Sequence, residues 1–342
     1  MTEVIHYPFP KIAQFRNVVK LKQKLLDDTE QVVSYVGRIK SHGSNLSISI
    51  NIDDDLFYCQ SRNRIIHPHD DNFGFAGWVF ANITELKKTL LYPIIKHYSV
   101  YVPKNIVIYG EWIGKGIQSG VAVSKIDKKF IVFSVGLAYE SGHQDFYNNF
   151  LKFEPNPEMG LHHIDEFPTY EIDIDFKNPE AAQNKLVEYT KEVEDCCPIG
   201  KYFGVEGIGE GLVFSPKTNP ISILPTNFDF VFKSKGDKHC PSNVSTIGKV
   251  DIEGLDDINS LVSWLINISP ENRVEQQIRI LKELGTPMDD MKYIKCLIVA
   301  VLDDIDSEHK DDIISSGLPK KVIYGKLTKR IKEYYQYTLT SF

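Results

Sequence analysis

The sequence holds five cysteines, Cys59, Cys196, Cys197, Cys240 and Cys296, and no two stand at the C-x-x-C spacing. That odd, unpaired set excludes a secreted disulfide framework and a structural zinc module, so a reducing compartment such as the cytoplasm is expected. Long apolar runs are missing as well. The longest, 297–302, stops at Asp303 and Asp304, and residues 1–13 have no basic flank followed by an apolar stretch, so neither a membrane span nor a signal peptide is expected. Nor is there an excess of positive charge: Lys and Arg total 39 against 46 Asp and Glu, a net charge of −7. This disfavours coating of nucleic acid by bulk charge and leaves room for a local basic site. No internal repeat or low-complexity tract interrupts the chain.

At roughly 150 residues per domain, 342 residues provide for about two domains. Pattern and charge both change near residue 250. Before it, short β-branched or alternating runs predict strands over 32–39, 46–52, 100–110, 130–137, 170–176, 212–214 and 228–232, with helices over 82–98 and 179–193. After it, residues 251–319 carry a net charge of −9 and residues 320–342 one of +5. Ser269 and Pro270 form an N-cap and first-turn pair, Val274, Ile278 and Leu281 repeat at helical spacing, and Gly285 and Pro287 end the run. Ile323, Leu327 and Ile331 recur every four residues among Lys326, Lys329, Arg330 and Lys332, which marks a basic helix. The expected fold class is α+β: an antiparallel-sheet domain over 1–245, followed by a small all-helical domain over 250–342.

Two nucleotide-loop patterns fail. Gly110 to Gly116 contains Gly-Lys, but it is one residue short between its glycines and has no Ser or Thr after the lysine. Gly207-Ile208-Gly209-Glu210-Gly211 lacks the third glycine of a dinucleotide loop. The histidine groups His67-Pro68-His69-Asp70 and His162-His163 with Asp165 have no matching ligand set elsewhere.

Lys40-Ser41-His42-Gly43-Ser44-Asn45 lies between two predicted strands. A lysine that attacks a phosphate needs a firm platform, and a glycine three residues on lets backbone approach a ligand. K-x-x-G occurs four times, starting at Lys40, Lys201, Lys233 and Lys282, and alone it reads as a turn. Only the first copy is followed by an ordered set: Tyr109-Gly110-Glu111, Phe130 to Phe133, Glu210-Gly211-Leu212-Val213, and Phe232-Lys233-Ser234-Lys235. Singly, Glu111 reads as a solvated strand end, Glu210 as a turn residue, Phe133 as core and the two lysines as a wet strand face. Their joint order is what an ordinary fold does not supply.

In that order the chain resembles the covalent nucleotidyltransferases, the superfamily of polynucleotide ligases and RNA capping enzymes. Within it, K-x-H-G-x-N and the run Glu111 to Gln118 resemble the ATP-dependent RNA ligases of the phage RNA ligase 2 type. The likeness covers about residues 35–240, and a helical C-terminal domain agrees with it. It implies a nucleotidyltransferase fold for the first domain and an RNA ligase working through lysyl-AMP, with ATP and Mg2+ or Mn2+ as cofactors. RNA ends, in a nicked duplex among other forms, are the implied partner, with no membrane, and a monomer is expected.

The resemblance implies Lys40 as the nucleophile, with Glu210, Lys233 and Lys235 as its catalytic companions and Glu210 as the metal ligand. His42, Gly43, Asn45 and Arg62 would lie about the phosphates, Glu111 would hold the ribose and Phe133 would stack on the base. One departure is Ile39, where the family usually has an acidic residue that helps to read adenine; ATP is thus less firmly marked than the chemistry. A DNA ligase, a capping guanylyltransferase and a nucleotide- or RNA-binding module without catalysis are the alternatives. Elementary chemistry points the same way: a lysine amine titrating near 10.4 is less than roughly 0.1% neutral at pH 7 and needs nearby cations or desolvation to act as a nucleophile.

Overall fold

The computed structural model describes residues 4–25, 32–54, 56–148, 152–217, 227–236, 271–315 and 317–340. The chain divides into two compact units, residues 1–236 and 237–342. The expected domain boundary at 245–250 and the Ser269-Pro270 cap lie outside the described residues.

The first unit is built on two sheets. One runs in the order β1 (Ala13–Gln14), β12 (Phe232–Lys235), β11 (Gly211–Pro216), β2 (Val32–Ile39) and β10 (Thr169–Asp175). The other runs β5 (Ile65–Ile66), β4 (Phe57–Ser61), β3 (Ser44–Asn51), β6 (Asn105–Ile113), β7 (Lys129–Ala138) and β8 (Gln144–Tyr147), with β9 (Leu161–His163) parallel to β7. Apart from β1 with β12 and β7 with β9, neighbouring strands are antiparallel.

β3 shows why these residues make strands. Leu46, Ile48 and Ile50 alternate with Ser47, Ser49 and Asn51, the period of a pleated ribbon. Alternation predicts a solvated polar face, yet Ser47, Ser49 and Asn51 are buried. The N-terminal segment lies over this sheet: Tyr7 is bound through both its N–H and its C=O by the Gln60 side-chain amide, and Tyr58 donates to the carbonyl of Ile5. Phe9 then enters a cluster with Tyr109, Phe228 and Val231, against which Phe133, Phe146 and Val213 also pack.

Several elements depart from sequence expectation. The run at 100–110 does not start as a strand: Ser99–Tyr101 is a 3₁₀ turn, Val102 has φ +52°, and β6 begins only at Asn105. Pro103 has no N–H for a ladder and restricts the residue before it. The run at 228–232 starts as a 3₁₀ turn, Asn227–Phe230, before β12. The helix expected over 82–98 is broken into α3 (Ile83–Leu86), a π-turn (Lys87–Leu91) and α4 (Tyr92–Tyr98), after a separate α2 (Phe75–Ala81). Pro93 cannot return a hydrogen bond to the preceding turn, which fits a π irregularity just before it. The helix α1 (Phe15–Leu25) carries no cap signal that would have announced it; it buries Phe15, Val18 and Val19. Two further helices, α5 (Pro179–Asp195) and α6 (Pro198–Tyr202), precede β11.

The described part of the second unit is helical: α7 (Glu271–Glu283), α8 (Ile294–Ser315) and α9 (Lys320–Thr340). Gly285, at φ +88°, ends α7, and the Thr286 N–H returns to the Leu281 carbonyl. Val274, Leu297, Val301 and Ile305 meet the α9 stripe Ile323, Leu327, Ile331 and Tyr335 in one core. Arg273 is buried between Asp304 at 2.5 Å and Glu308 at 2.7 Å, which ties α7 to α8. No described helix is long and apolar enough to cross a membrane.

Candidate active site

Strand order in the first sheet brings the expected residues together. β11 runs antiparallel to both β2 and β12, so Leu212 faces Ile39 on one side and Ser234 on the other, and Gly211 faces Lys235. The ends of β2 and β12 therefore flank the start of β11. Lys40 continues the ladder by donating its N–H to the Gly211 carbonyl at 2.8 Å, and the Gly236 N–H reaches the Glu210 carbonyl at 3.1 Å. Lys40, Glu210 and Lys235 thus stand in a row.

Their side chains converge. Lys40 Nζ lies 3.0 Å from Glu210 Oε2, Lys235 Nζ lies 2.9 Å from Oε1, and His42 Nδ1 lies 3.2 Å from Oε2. Glu210 is 5% exposed and each lysine 23%. Burial alone would push the Glu210 carboxyl up, but Lys235, Lys40 and the hydrogen-bonding His42 together hold it well below the usual carboxylate range. Lys233 stands two residues before Lys235 and so shares its face of β12, in register with Val213.

The Lys40 loop joins the two sheets. Gly43 donates its N–H to Glu111 Oε1 at 3.0 Å, and Asn45 on β3 is in register with Glu111 on β6. A Cβ on Gly43 would stand 2.3 Å from the Trp112 carbonyl oxygen, so only glycine lets the loop pass this close. Burial pushes the Glu111 carboxyl up to about 7 against the pull of Lys40; the Glu210 charge adds to the rise, and the Gly43 N–H and His42 oppose it.

Phe133 owes its placement to a bulge. Tyr109 pairs with Ser134 and Gly110 with Val132, so Phe133 is the extra residue of β7. Half-buried, it meets the ring of Phe9 edge-on with centroids 5.0 Å apart. Arg62 is the expected residue that is not drawn in. It is exposed in the turn after β4 and makes no hydrogen bond or ion pair with the lysine–glutamate cluster, whereas its neighbour Arg64 pairs with Asp70 at 2.8 Å.

The resemblance implies no role for Gln118, the last residue of the run Glu111 to Gln118. The Gln118 Nε2 donates to the Gly43 carbonyl at 2.9 Å, and its Oε1 is buried without a hydrogen-bond partner among the described residues. Phe9 was missed altogether, because a lone aromatic near the start of a chain carries no spacing signal. Among the described residues, no group of three or more His, Cys, Asp or Glu side chains is arranged to hold a metal ion. The arrangement sets two ammonium groups and one ionised carboxylate at the ends of three neighbouring strands. That is a setting for a phosphate chain, with an amine positioned beside it as a nucleophile.

A protein-family model described as RNA ligase matches residues 33–235. No curated protein sequence matches the chain. Among solved structures, a Naegleria gruberi RNA ligase variant with AMP and Mn aligns at 15% identity and a TM-score of 0.38, over 67% of this chain and 56% of that one. The Naegleria gruberi RNA ligase with PPi aligns at 16% identity and a TM-score of 0.39, over 70% of this chain and 60% of that one. The chain thus spans less than two thirds of the length of these structures.

Proposed function

The chain belongs to the RNA ligase family, and from that premise we propose that it is an ATP-dependent RNA ligase joining a 5′-phosphate to a 3′-hydroxyl. The observation that carries this reading is the Lys40 amine, 3.0 Å from Glu210 and beside Lys235, at the ends of three neighbouring strands.

In the first step the neutral amine of Lys40 attacks the α-phosphorus of ATP. The N–P bond forms, the bond to the oxygen bridging the β-phosphate breaks, pyrophosphate leaves with the electron pair and the amine's proton passes to solvent. A 5′-phosphate oxygen of RNA then takes AMP from Lys40 and restores the amine. Finally the 3′-hydroxyl attacks that 5′-phosphorus, loses its proton and releases AMP. Each step is phosphoryl transfer, in which positioning and fixed charge dominate. Lys233 and Lys235 place positive charge where the departing pyrophosphate builds negative charge. Glu111 accepts from the ribose, Phe133 stacks on the base, and His42, Gly43 and Asn45 line the phosphates. Arg62 is assigned to the AMP phosphate or the RNA end.

Glu210 fits a hard divalent cation: it is an ionised, shielded carboxylate, and Mg2+ is held by one or two carboxylates with water and phosphate oxygens in its other positions. Bound there, Mg2+ or Mn2+ would supply Lewis-acid neutralisation of the phosphates. The reading takes the substrate as RNA ends in a nicked duplex and the working form as a monomer in a reducing compartment.

Incubation with α-labelled ATP and Mg2+ tests the central step. Label should appear on the chain and vanish in Lys40→Ala; label kept by that variant rejects Lys40, and no label under either metal rejects the enzyme. GTP competition checks the base preference that Ile39 leaves open, nicked RNA offered beside nicked DNA checks the substrate, and sedimentation checks the monomer.

A further inference from the structure

We propose that one flank of α9 holds the phosphodiester backbone of substrate RNA, an inference that rests on the ligase reading and adds a surface to it. From Lys320 to Lys332 the chain has six basic residues and no acidic one, whereas residues 251–319 are net −9. Within 251–342, then, the net positive charge lies in the last stretch, and its six basic residues fall on α9.

Packing decides where it points. The stripe Ile323, Leu327, Ile331 and Tyr335 faces the core. At 3.6 residues per turn, Lys321, Lys329 and Lys332 then fall within ~80° of one another on the side away from that stripe. All three are exposed, and among the described residues none makes an ion pair; Lys320, by contrast, is tied to Asp306, and Arg330 lies 3.9 Å from Glu333.

A second observation lies in the same sector. Gly325 is exposed inside α9, its φ is not left-handed, and a Cβ there would meet nothing within 4 Å. Neither packing nor backbone conformation calls for glycine, and glycine weakens an exposed helix interior relative to alanine. A local rule broken without structural return marks a place where function makes the demand. What a missing side chain provides is close approach to the helix backbone. What three ammonium groups around that notch attract is a chain of phosphates, and the helical rise spreads Lys321 and Lys329 by ~12 Å along the axis, enough to follow a strand and not only a single anion.

The test uses the full chain and a fluorescein-labelled nicked RNA duplex, with binding followed by anisotropy between 50 and 200 mM salt. In the triple variant Lys321→Gln, Lys329→Gln, Lys332→Gln, the slope of log affinity against log salt should become shallower by about 2 to 3, since each lost phosphate contact removes 0.7 to 0.9. Gly325→Leu should move two readouts in opposite directions: melting temperature up and RNA affinity down. An unmoved slope together with parental RNA binding by Gly325→Leu overturns the assignment. So does displacement of the labelled duplex by polyglutamate, but not by unlabelled RNA, since the stripe would then serve an acidic polypeptide. Lysyl-AMP formation in the same preparations separates the two levels. A parent chain that forms none has lost the ligase reading, while one that forms it, with an unmoved slope and parental RNA binding by Gly325→Leu, has lost only the role of α9.

Discussion

Lys40 donates to Oε2 of Glu210 across 3.0 Å although the two residues stand 170 positions apart. The contact exists because β11 lies between β2 and β12, and it leaves Glu210 ionised between two lysines. A carboxyl with a depressed folded pKa adds stability above its ordinary value, and that stability fades as pH falls through the depressed one. Glu210→Gln should therefore flatten the acid limb of the unfolding curve. It should also cut lysyl-AMP formation about 100-fold or more, as losses of preorganised charge do. An unchanged acid limb in denaturant titrations from pH 3 to 7 would count against the ion pair.

Glu111 carries the opposite sign. Its carboxyl is raised from 4.5 to about 7, so the folded chain binds the extra proton between those values and stability falls as pH rises through that window. Glu111→Gln keeps an acceptor for the Gly43 N–H and removes the charge. The variant should match the parent near pH 5 and exceed it above pH 7 by on the order of 2 kcal/mol, while its KM for ATP rises. Parallel stability curves for the two chains would refute the shift.

Gly43→Ala should be damaging out of proportion to its size. The added methyl meets a backbone oxygen, which cannot rotate away, so the Lys40 loop must move off Glu111. Strain of this sort costs about 1–3 kcal/mol, and labelling with ATP should fall with it. A variant that is less stable yet labels at the parental rate would show that the loop's position does not matter to the labelling step.

Phe9 supports Phe133 and also touches Tyr109, Phe146 and Phe228. Phe9→Leu removes aromatic pairing worth about 0.5–1.5 kcal/mol per contact. If Phe133 stacks on the base as proposed, the expected signature is a raised KM for ATP with kcat little changed and pyrophosphate binding intact, because pyrophosphate has no base to stack. Equal weakening of ATP and pyrophosphate would make the role one of general stability.

How much of this was legible in the sequence depends on the kind of signal. The placement of Lys40, Glu210 and Lys235 together, with Glu111 bonded to the Gly43 N–H, was legible because the proposed chemistry fixes their type and the resemblance fixes their order. The strands of β2, β7 and β10 were found because their periodicity is local. What escaped depends on contacts distant in sequence. The serines of β3 read as a wet face, yet they are interior, beside Gln60 and Tyr58, which the N-terminal segment binds. The π-turn and the late start of β6 come from single prolines acting on neighbouring hydrogen bonds. Phe133 was expected in a regular strand, and its bulge is a property of the pairing with β6, invisible in β7 alone.

The Gln60 amide, which stands in for a neighbouring strand by grasping both backbone groups of Tyr7, also defines how little of the first unit can be excised. A fragment trimmed to the span shared with relatives would begin at residue 33. It would forfeit β1 beside Lys233, the helix that anchors Phe15 against Phe232, and the aromatic wedge above the bulge. Buried serines and an amide would be bared to water at the same stroke. The smallest autonomous piece of the first unit therefore begins upstream of the recognisable motif region, and tags or deletions at that end act on the packing around Lys233 and Phe133.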